Sequence, residues 1–431
     1  MDLTIQPHKL SGTVTVPPSK SLAHRAVICA ALSDGTCKID NIALSDDIIA
    51  TIEAMKAFGA IIEQEGSAST ITGAGQYVTE AKVAESATTA EHLIDCNESG
   101  STLRFVVPIS TLFQGASRFV GRGNLGKRPL TIFYDIFEEQ GITYKPTEGE
   151  LDLVVDGNLK PGHFSFPGNV SSQFITGLLF TLPLLDGDSV IKITTPLESI
   201  GYIDLTLEVM SAFGVTIENV GHQLFRISGG QSYKATDYRV EGDYSQAAFF
   251  LCADALGNDL LVDDLSMDSL QGDRAVVSIL EAMGVSFEKQ SNGLIGTATK
   301  GLHGTLIDAS QCPDIIPVVA LTACLSEGKT EIINAGRLRI KECDRLEATA
   351  SELKKLGADI EELPEGLLIH GVKSLKGKET VWSYKDHRIA MMLAIAATVC
   401  EQPITITDAE CVSKSYPDFW EDYKAIGGKI Q

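Results

Sequence analysis

Two sets of landmarks recur six times along the 431 residues, and a sixfold repeat restricts the possible architectures more than any other feature here. The first set pairs a small or polar start with an apolar run: SKSLAHRAVICAAL, SGSTLRFVVPISTL, SSQFITGLLFTLPL, DYSQAAFFLCADAL, PDIIPVVALTACL and DHRIAMMLAIAATV. Measured at Lys20, Ser101, Ser172, Ser245, Asp314 and His387, the intervals are 81, 71, 73, 69 and 73 residues. The second set is a glycine that ends a helical stretch before an extended run. It falls at Gly59, Gly141, Gly214, Gly284, Gly357 and Gly427, at intervals of 82, 73, 70, 73 and 70. Glycine just past a helix supplies the left-handed cap that lets the chain turn into a strand. The two series drift together, so the period of about 72 residues is real.

Each repeat reads strand, helix, strand, helix, β-hairpin. The first shows the order: GTVTVPP, the Lys20 helix, TCKIDNI, SDDIIATIEAMKAFG, AIIEQEG and STITG. Six such units are too large for one core, so two domains of three are expected. The second helices (EVMSAFG, ASELKKLG) carry charge on one face. The first helices are apolar almost all round and are expected inside a shell of sheets.

Composition narrows the function. With 57 acidic against 35 basic residues, the formal charge of −22 argues against binding nucleic acid or an anionic membrane, both of which need basic surface. It does not exclude a small anionic substrate, since local fields decide what a cleft binds. The nine cysteines are scattered and contain no C-x-x-C pair, as in a protein with reduced thiols. No basic segment followed by an apolar one opens the chain, and the longest apolar stretch, Ile389 to Cys400, is too short for a bilayer. A cytoplasmic setting is expected.

The starts of the six apolar helices are where chemistry is expected. A helix N-terminus carries unpaired N–H groups and roughly half a positive charge, which suits anions. Here cations crowd those starts: Lys20 and Arg25 with Ser21 at the first, Arg104 at the second, His387 and Arg388 at the sixth. Cations there oppose the dipole, and such a conflict with local rules points to function. Three clusters add to them: GRGNLGKRP with Lys127 and Arg128, RLRIKECDR with Arg337, Arg339, Lys341 and Arg345 around Glu342 and Asp344, and VSKSYPD with Lys414. Gly121-x-Gly123-x-x-Gly126 matches a dinucleotide fingerprint only literally, since the loop joins a strand to a repeat's second helix. As a P-loop it lacks the Ser or Thr for magnesium, because Arg128 follows Lys127. His24 is read as a core or helix-face histidine, and Cys343 as filler.

The ordered motifs PPSKSLAHR, ESGSTLR, GKRP, SSQF, PDIIP, RIKECDR, DHR and SKSYPD resemble the 5-enolpyruvylshikimate-3-phosphate synthase family over essentially the whole chain. The resemblance implies a two-domain inside-out α/β barrel of six βαβαββ repeats, three per domain. Its expected boundaries are 1–20 plus 241–431 for one domain and 21–240 for the other, with the site in the cleft. It implies a transferase of the shikimate pathway, serving chorismate and aromatic amino-acid biosynthesis. The enolpyruvyl group of phosphoenolpyruvate would pass to the 5-hydroxyl of shikimate 3-phosphate, releasing phosphate. No metal, cofactor or nucleic acid is implied, and a monomer is expected.

Carried over residue by residue, the resemblance gives Ser21 and Arg25 to the shikimate carboxylate. Ser171, Ser172, Ser199 and Lys341 go to its phosphate, and Tyr202 to its ring. Gln173 stands between the substrates, and Asp314 and Arg337 near the hydroxyls. Lys20, Arg128 and Lys414 would take the phosphoenolpyruvate phosphate, and Arg345 and Arg388 its carboxylate. Gly100 and Ser101 would form the wall, with Arg104 supporting it. The reaction needs an acid and a base on opposite sides of a tetrahedral intermediate. Asp314 is the candidate at the 5-hydroxyl and Glu342 at C3, while Lys20 or His387 could assist phosphate departure. Two departures stand out: some members of the family have Asn where Arg337 stands, and Glu98 adds a negative charge beside the Gly100 loop.

Two rivals remain. UDP-N-acetylglucosamine enolpyruvyl transferase shares the repeats but carries a reactive Cys six residues before the Pro of its loop motif, where Gly123 stands here. A non-catalytic repeat clamp would have neutral helix starts and a basic outer face, the reverse of this charge pattern.

Overall fold

The computed structural model describes residues 1–81, 91–290 and 292–431, with side chains left out for 79–81. The chain divides into two units, Met1–Ser19 with Glu241–Gln431, and Lys20–Val240. Among the described residues each contains three four-stranded sheets, and the Lys20–Val240 unit adds a two-stranded one. A complete repeat is seen over residues 163–227. Strand His163–Phe166 leads through helix Ser172–Thr181 to the parallel strand Ser189–Ile193. Helix Ile200–Ala212 and the hairpin of Glu218–Val220 with Leu224–Ile227 follow, antiparallel.

The six capping glycines all adopt positive φ, between 72° at Gly141 and 104° at Gly284, so this series marks the same backbone event in every repeat. The apolar helices are buried as expected. Every residue of Tyr244–Ala255 and Ile316–Cys324 is out of solvent, as are Leu22–Ala31, His387–Ala397 and all of Gly100–Ser110 except Ser101. Each unit has its own core cluster. None of the described helices is long and apolar enough to cross a membrane.

The strand pairing shows how the first repeat is assembled. Strand Ser11–Thr15, which precedes the Lys20 helix in sequence, pairs in parallel with Asp259–Asp263. Thr36–Asp40 takes its parallel partner from Tyr238–Arg239. The chain leaves one unit right after Ser11–Thr15, so that strand stays behind in its own sheet and the returning segment replaces it. The outgoing and returning strands are tied by Ser19 N–H to the Glu241 carbonyl (2.8 Å) and a Pro18–Gly242 bridge. The sixth repeat is completed in the same way, since Leu3–Gln6 pairs with Ile404–Thr407 and Lys429–Ile430 and supplies the strand missing after Gly427.

Candidate active site

In the Lys20–Val240 unit, one close helix contact positions several of the candidate residues. Pro108 has no N–H, so the Arg104 carbonyl lacks its usual donor four residues on. Gly177 packs against that carbonyl, and a methyl group there would overlap it. Helices Gly100–Ser110 and Ser172–Thr181 therefore approach closely and their first turns bond: Arg104 Nη1 donates to Gln173 Oε1 (2.8 Å), and Gln173 Nε2 to Ser101 Oγ (2.9 Å). Ser99 and Ser171 cap the two helices at Thr102 N and Gln173 N. The Arg128 guanidinium lies over Gly100, where any side chain would collide with it. Glu98 rests its carboxylate on Gly123 in the glycine-rich loop.

Arg25 is buried, and three of its N–H groups go to neutral oxygens: Thr206 Oγ1 (2.8 Å), the Ser21 carbonyl (2.6 Å) and the Tyr202 carbonyl (2.8 Å). Burial brings its pKa down to about 10, the mark of a cation whose field is only partly offset. Lys20 donates to Asp47 Oδ2 at 2.7 Å. Ser199 is buried in the left-handed region (φ 56°, ψ 46°) at the start of Ile200–Ala212. A non-glycine residue there stores about 1–3 kcal/mol of strain, and such strain clusters at binding sites.

In the other unit the acids and bases interlock. Asp314 Oδ1 accepts from Lys341 Nζ (3.0 Å) and Arg345 Nη1 (2.9 Å), and Asp314 Oδ2 lies 3.7 Å from Arg388 Nη2. Arg345 also donates to Glu342 Oε2 (2.7 Å) and, through Nε and Nη2, to both oxygens of Asp386 (2.8 and 3.3 Å). Four of the five guanidinium N–H groups are thereby committed. Burial would raise the Asp314 carboxyl, but Lys341, Arg345 and Arg388 hold it well below the ordinary range, against the push of Glu342. Burial lowers Lys341, opposed by Asp314 and reinforced by Arg345 and Arg337. Arg388 N is capped by Asp386 Oδ1 (2.8 Å), and Arg388 Nη1 donates to the Ser245 carbonyl (2.9 Å). The His387 ring is buried, with Nδ1 4.0 Å from Asp386 Oδ1. Lys414 Nζ donates to the Lys385 carbonyl (2.9 Å).

The structure thus gathers Asp314, Lys341, Glu342, Arg345 and Arg388 in one network, and Gly100, Ser101, Arg104, Arg128 and Gln173 in another. Arg339 separates from the RLRIKECDR cluster: its bonds to Asp344, Glu362 and the Leu363 and Pro364 carbonyls make it a structural tie. Four partners escaped the sequence reading. Asp47 and Thr206 sit on second helices, where an acid or a threonine reads as capping or filler. Asp386, fully buried, passed unremarked inside the DHR motif, where it caps the His387–Val399 helix. Asp273 accepts the Ser245 hydroxyl, and burial together with the Asp314 charge raises its pKa to about 6.

The model of the family described as EPSP synthase (3-phosphoshikimate 1-carboxyvinyltransferase) matches residues 5–423. The 3-phosphoshikimate 1-carboxyvinyltransferase of Clostridium beijerinckii is 62% identical over 99% of this chain and 98% of its own. That of Clostridioides difficile is 58% identical over the same shares. Among solved structures, the EPSP synthase of Acinetobacter baumannii superposes with a TM-score of 0.81 at 25% identity, covering 100% of this chain and 99% of its own. The enolpyruvyl transferase NikO of Streptomyces tendae, at 19% identity, 0.78 TM-score and coverages of 100% and 98%, shares the fold. The chain belongs to the EPSP synthase (3-phosphoshikimate 1-carboxyvinyltransferase) family.

Proposed function

We propose that this chain transfers the enolpyruvyl group of phosphoenolpyruvate to the 5-hydroxyl of shikimate 3-phosphate. The observation that carries the reading is the Asp314–Lys341–Glu342–Arg345 network, which holds two carboxylates against fixed cations at the start of a buried helix. In the addition step the 5-hydroxyl oxygen attacks C2 of phosphoenolpyruvate and loses its proton while C3 gains one. In the elimination step C3 gives up a proton, the C2–phosphate oxygen bond breaks, and phosphate leaves. Asp314, kept ionised, is suited to orient and deprotonate the hydroxyl, and Glu342 to carry the proton at C3. Fixed cations would stabilise the charge of the tetrahedral intermediate.

The remaining roles follow from charge and placement. Arg25, buried among neutral oxygens, suits a carboxylate, with Ser21 and Tyr202 at its side. Ser171, Ser172 and the strained Ser199 would hold the shikimate phosphate with Lys341, and Arg337 would act near the hydroxyls. Lys20, Arg128 and Lys414 would receive the phosphoenolpyruvate phosphate beside Gly100, Ser101 and Gln173, with Arg345 and Arg388 at its carboxylate. Lys20 and His387 are the candidates to assist phosphate departure. The test mixes protein with both substrates, without added metal or nucleotide, and measures phosphate. Release with shikimate 3-phosphate and none with UDP-N-acetylglucosamine as acceptor is expected; the reverse preference would move the chain to the sister activity.

A further inference from the structure

His24 heads a hydrogen-bonded chain that the reading of it as a plain core histidine leaves unused. Its Nδ1 lies 2.7 Å from Thr51 Oγ1, Thr51 Oγ1 lies 2.7 Å from Thr102 Oγ1, and Thr102 Oγ1 donates to Ser99 Oγ at 2.8 Å. All four side chains are buried. Burial, with Lys20 and Arg25 nearby, holds the imidazole well below the ordinary histidine range, so it is neutral. Its Nε2 is buried and has no partner among the described residues. An orphaned N–H is rarer in proteins than an under-satisfied acceptor, so the proton belongs on Nδ1. That tautomer sets one direction for the chain. His24 donates to Thr51, Thr51 to Thr102, and Thr102 to Ser99, which also accepts from Thr102 N as cap of the Gly100–Ser110 helix.

The chain joins three helices within their first two turns. His24 is on Lys20–Ala31, Thr51 on Asp46–Ala57, and Thr102 on Gly100–Ser110. The Thr51 and Thr102 hydroxyl oxygens also lie 3.4 and 3.3 Å from the Asp47 carbonyl, and the Asp47 carboxylate is what receives Lys20. Asp47, which receives Lys20, and Ser99, which caps the helix carrying Gly100 and Ser101, are therefore both in contact with this relay. We propose that His24 is a positioning residue for phosphoenolpyruvate, fixing the Lys20 ammonium and the Gly100–Ser101 helix start at the spacing its phosphate requires. This rests on the assignment of Lys20, Gly100 and Ser101 to that phosphate.

Three variants test it, with phosphoenolpyruvate affinity measured by calorimetry in the presence of shikimate 3-phosphate, alongside KM and kcat. His24→Phe keeps an aromatic ring against Phe105 but loses the donor. It is expected to weaken phosphoenolpyruvate binding and raise its KM about 10-fold, with kcat and shikimate 3-phosphate affinity within about twofold. His24→Asn places an amide N–H where Nδ1 stood and is expected to restore most of the loss, a rescue that bulk packing would not produce. If His24→Phe does not fold, the isosteric Thr51→Val breaks the same chain at its middle and is read in the same way. Wild-type phosphoenolpyruvate affinity in a folded broken-chain variant, equal losses for both substrates, or no rescue by Asn would overturn the proposal. Lys20→Met is measured in parallel. An unchanged phosphoenolpyruvate affinity there would remove the site assignment, whereas a loss there without one in His24→Phe would remove the relay alone.

Discussion

The two units hold buried arginines in opposite ways. Arg25 in the Lys20–Val240 unit is surrounded by a hydroxyl and two carbonyls, so burial leaves its charge only partly offset and its pKa falls to about 10. Arg345 in the other unit faces Asp314, Glu342 and Asp386. Burial would lower its pKa, but those carboxylates drive it well above the ordinary arginine value. A cation among neutral oxygens keeps a field for an incoming anion at a cost in ligand-free stability. A cation laced to three acids contributes geometry: it fixes where each carboxylate points and keeps Asp314 ionised. One arrangement suits binding and the other suits acid–base chemistry.

That contrast can be broken by removing each arginine. Arg345→Met removes the guanidinium paired with the fully buried Asp386 and leaves Asp314 to Lys341 and Arg388, and is expected to cost about 4 kcal/mol of unfolding free energy in urea. Arg25→Met removes a buried charge along with its hydrogen bonds, so a change of about 1 kcal/mol or less is expected in the ligand-free protein. Equal losses would show that the two surroundings do not differ as described. Next in size, Glu342→Gln keeps an acceptor for Arg345 and is expected to lower kcat about 100-fold, with shikimate 3-phosphate affinity within a few-fold. Unchanged turnover would remove Glu342 from the proton path.

A smaller, pH-dependent effect than the loss at Glu342 is expected at Asp273. Its folded pKa of about 6 lies above the ordinary carboxyl value of 3.8, so between those two values the folded state binds more protons than the unfolded chain. Stability attributable to Asp273 is therefore full at low pH and lost as pH rises toward 6. Relative to wild type, Asp273→Asn should gain on the order of 1–2 kcal/mol between pH 4 and pH 7, read from denaturation midpoints. A difference that does not depend on pH would show that Asp273 is ionised throughout.

Much of the site was legible because its cations break a local rule. Lys20, Arg25, Arg104 and Arg388 stand at or near helix starts that disfavour them, and Arg104, Arg388 and Asp314 do enter bonded clusters there. Their partners were not legible. Asp47 in SDDIIAT looks like an ordinary acidic first turn, and Thr206 like a filler in an amphipathic helix. Nothing local tells that one meets Lys20 and the other Arg25, 27 and 181 residues away in sequence. His24 is the sharpest case, since its neighbours Lys20 and Arg25 drew the reading while its own partner lay on another helix.

By itself the sequence determined the period, the place of each helix end and the burial of the apolar helices. All three follow from interactions within a few residues: a glycine at positive φ, a capping hydroxyl, an apolar face. Only the tertiary structure decided which strand pairs with which. Ser11–Thr15 and Tyr238–Arg239 exchange sheets, and Leu3–Gln6 completes a repeat some 400 residues downstream. Strand pairing is a contest between near-equivalent edges, and six similar repeats make those edges alike. The winner was set by where the chain crosses from one unit to the other, information carried by the whole fold and by no segment of it.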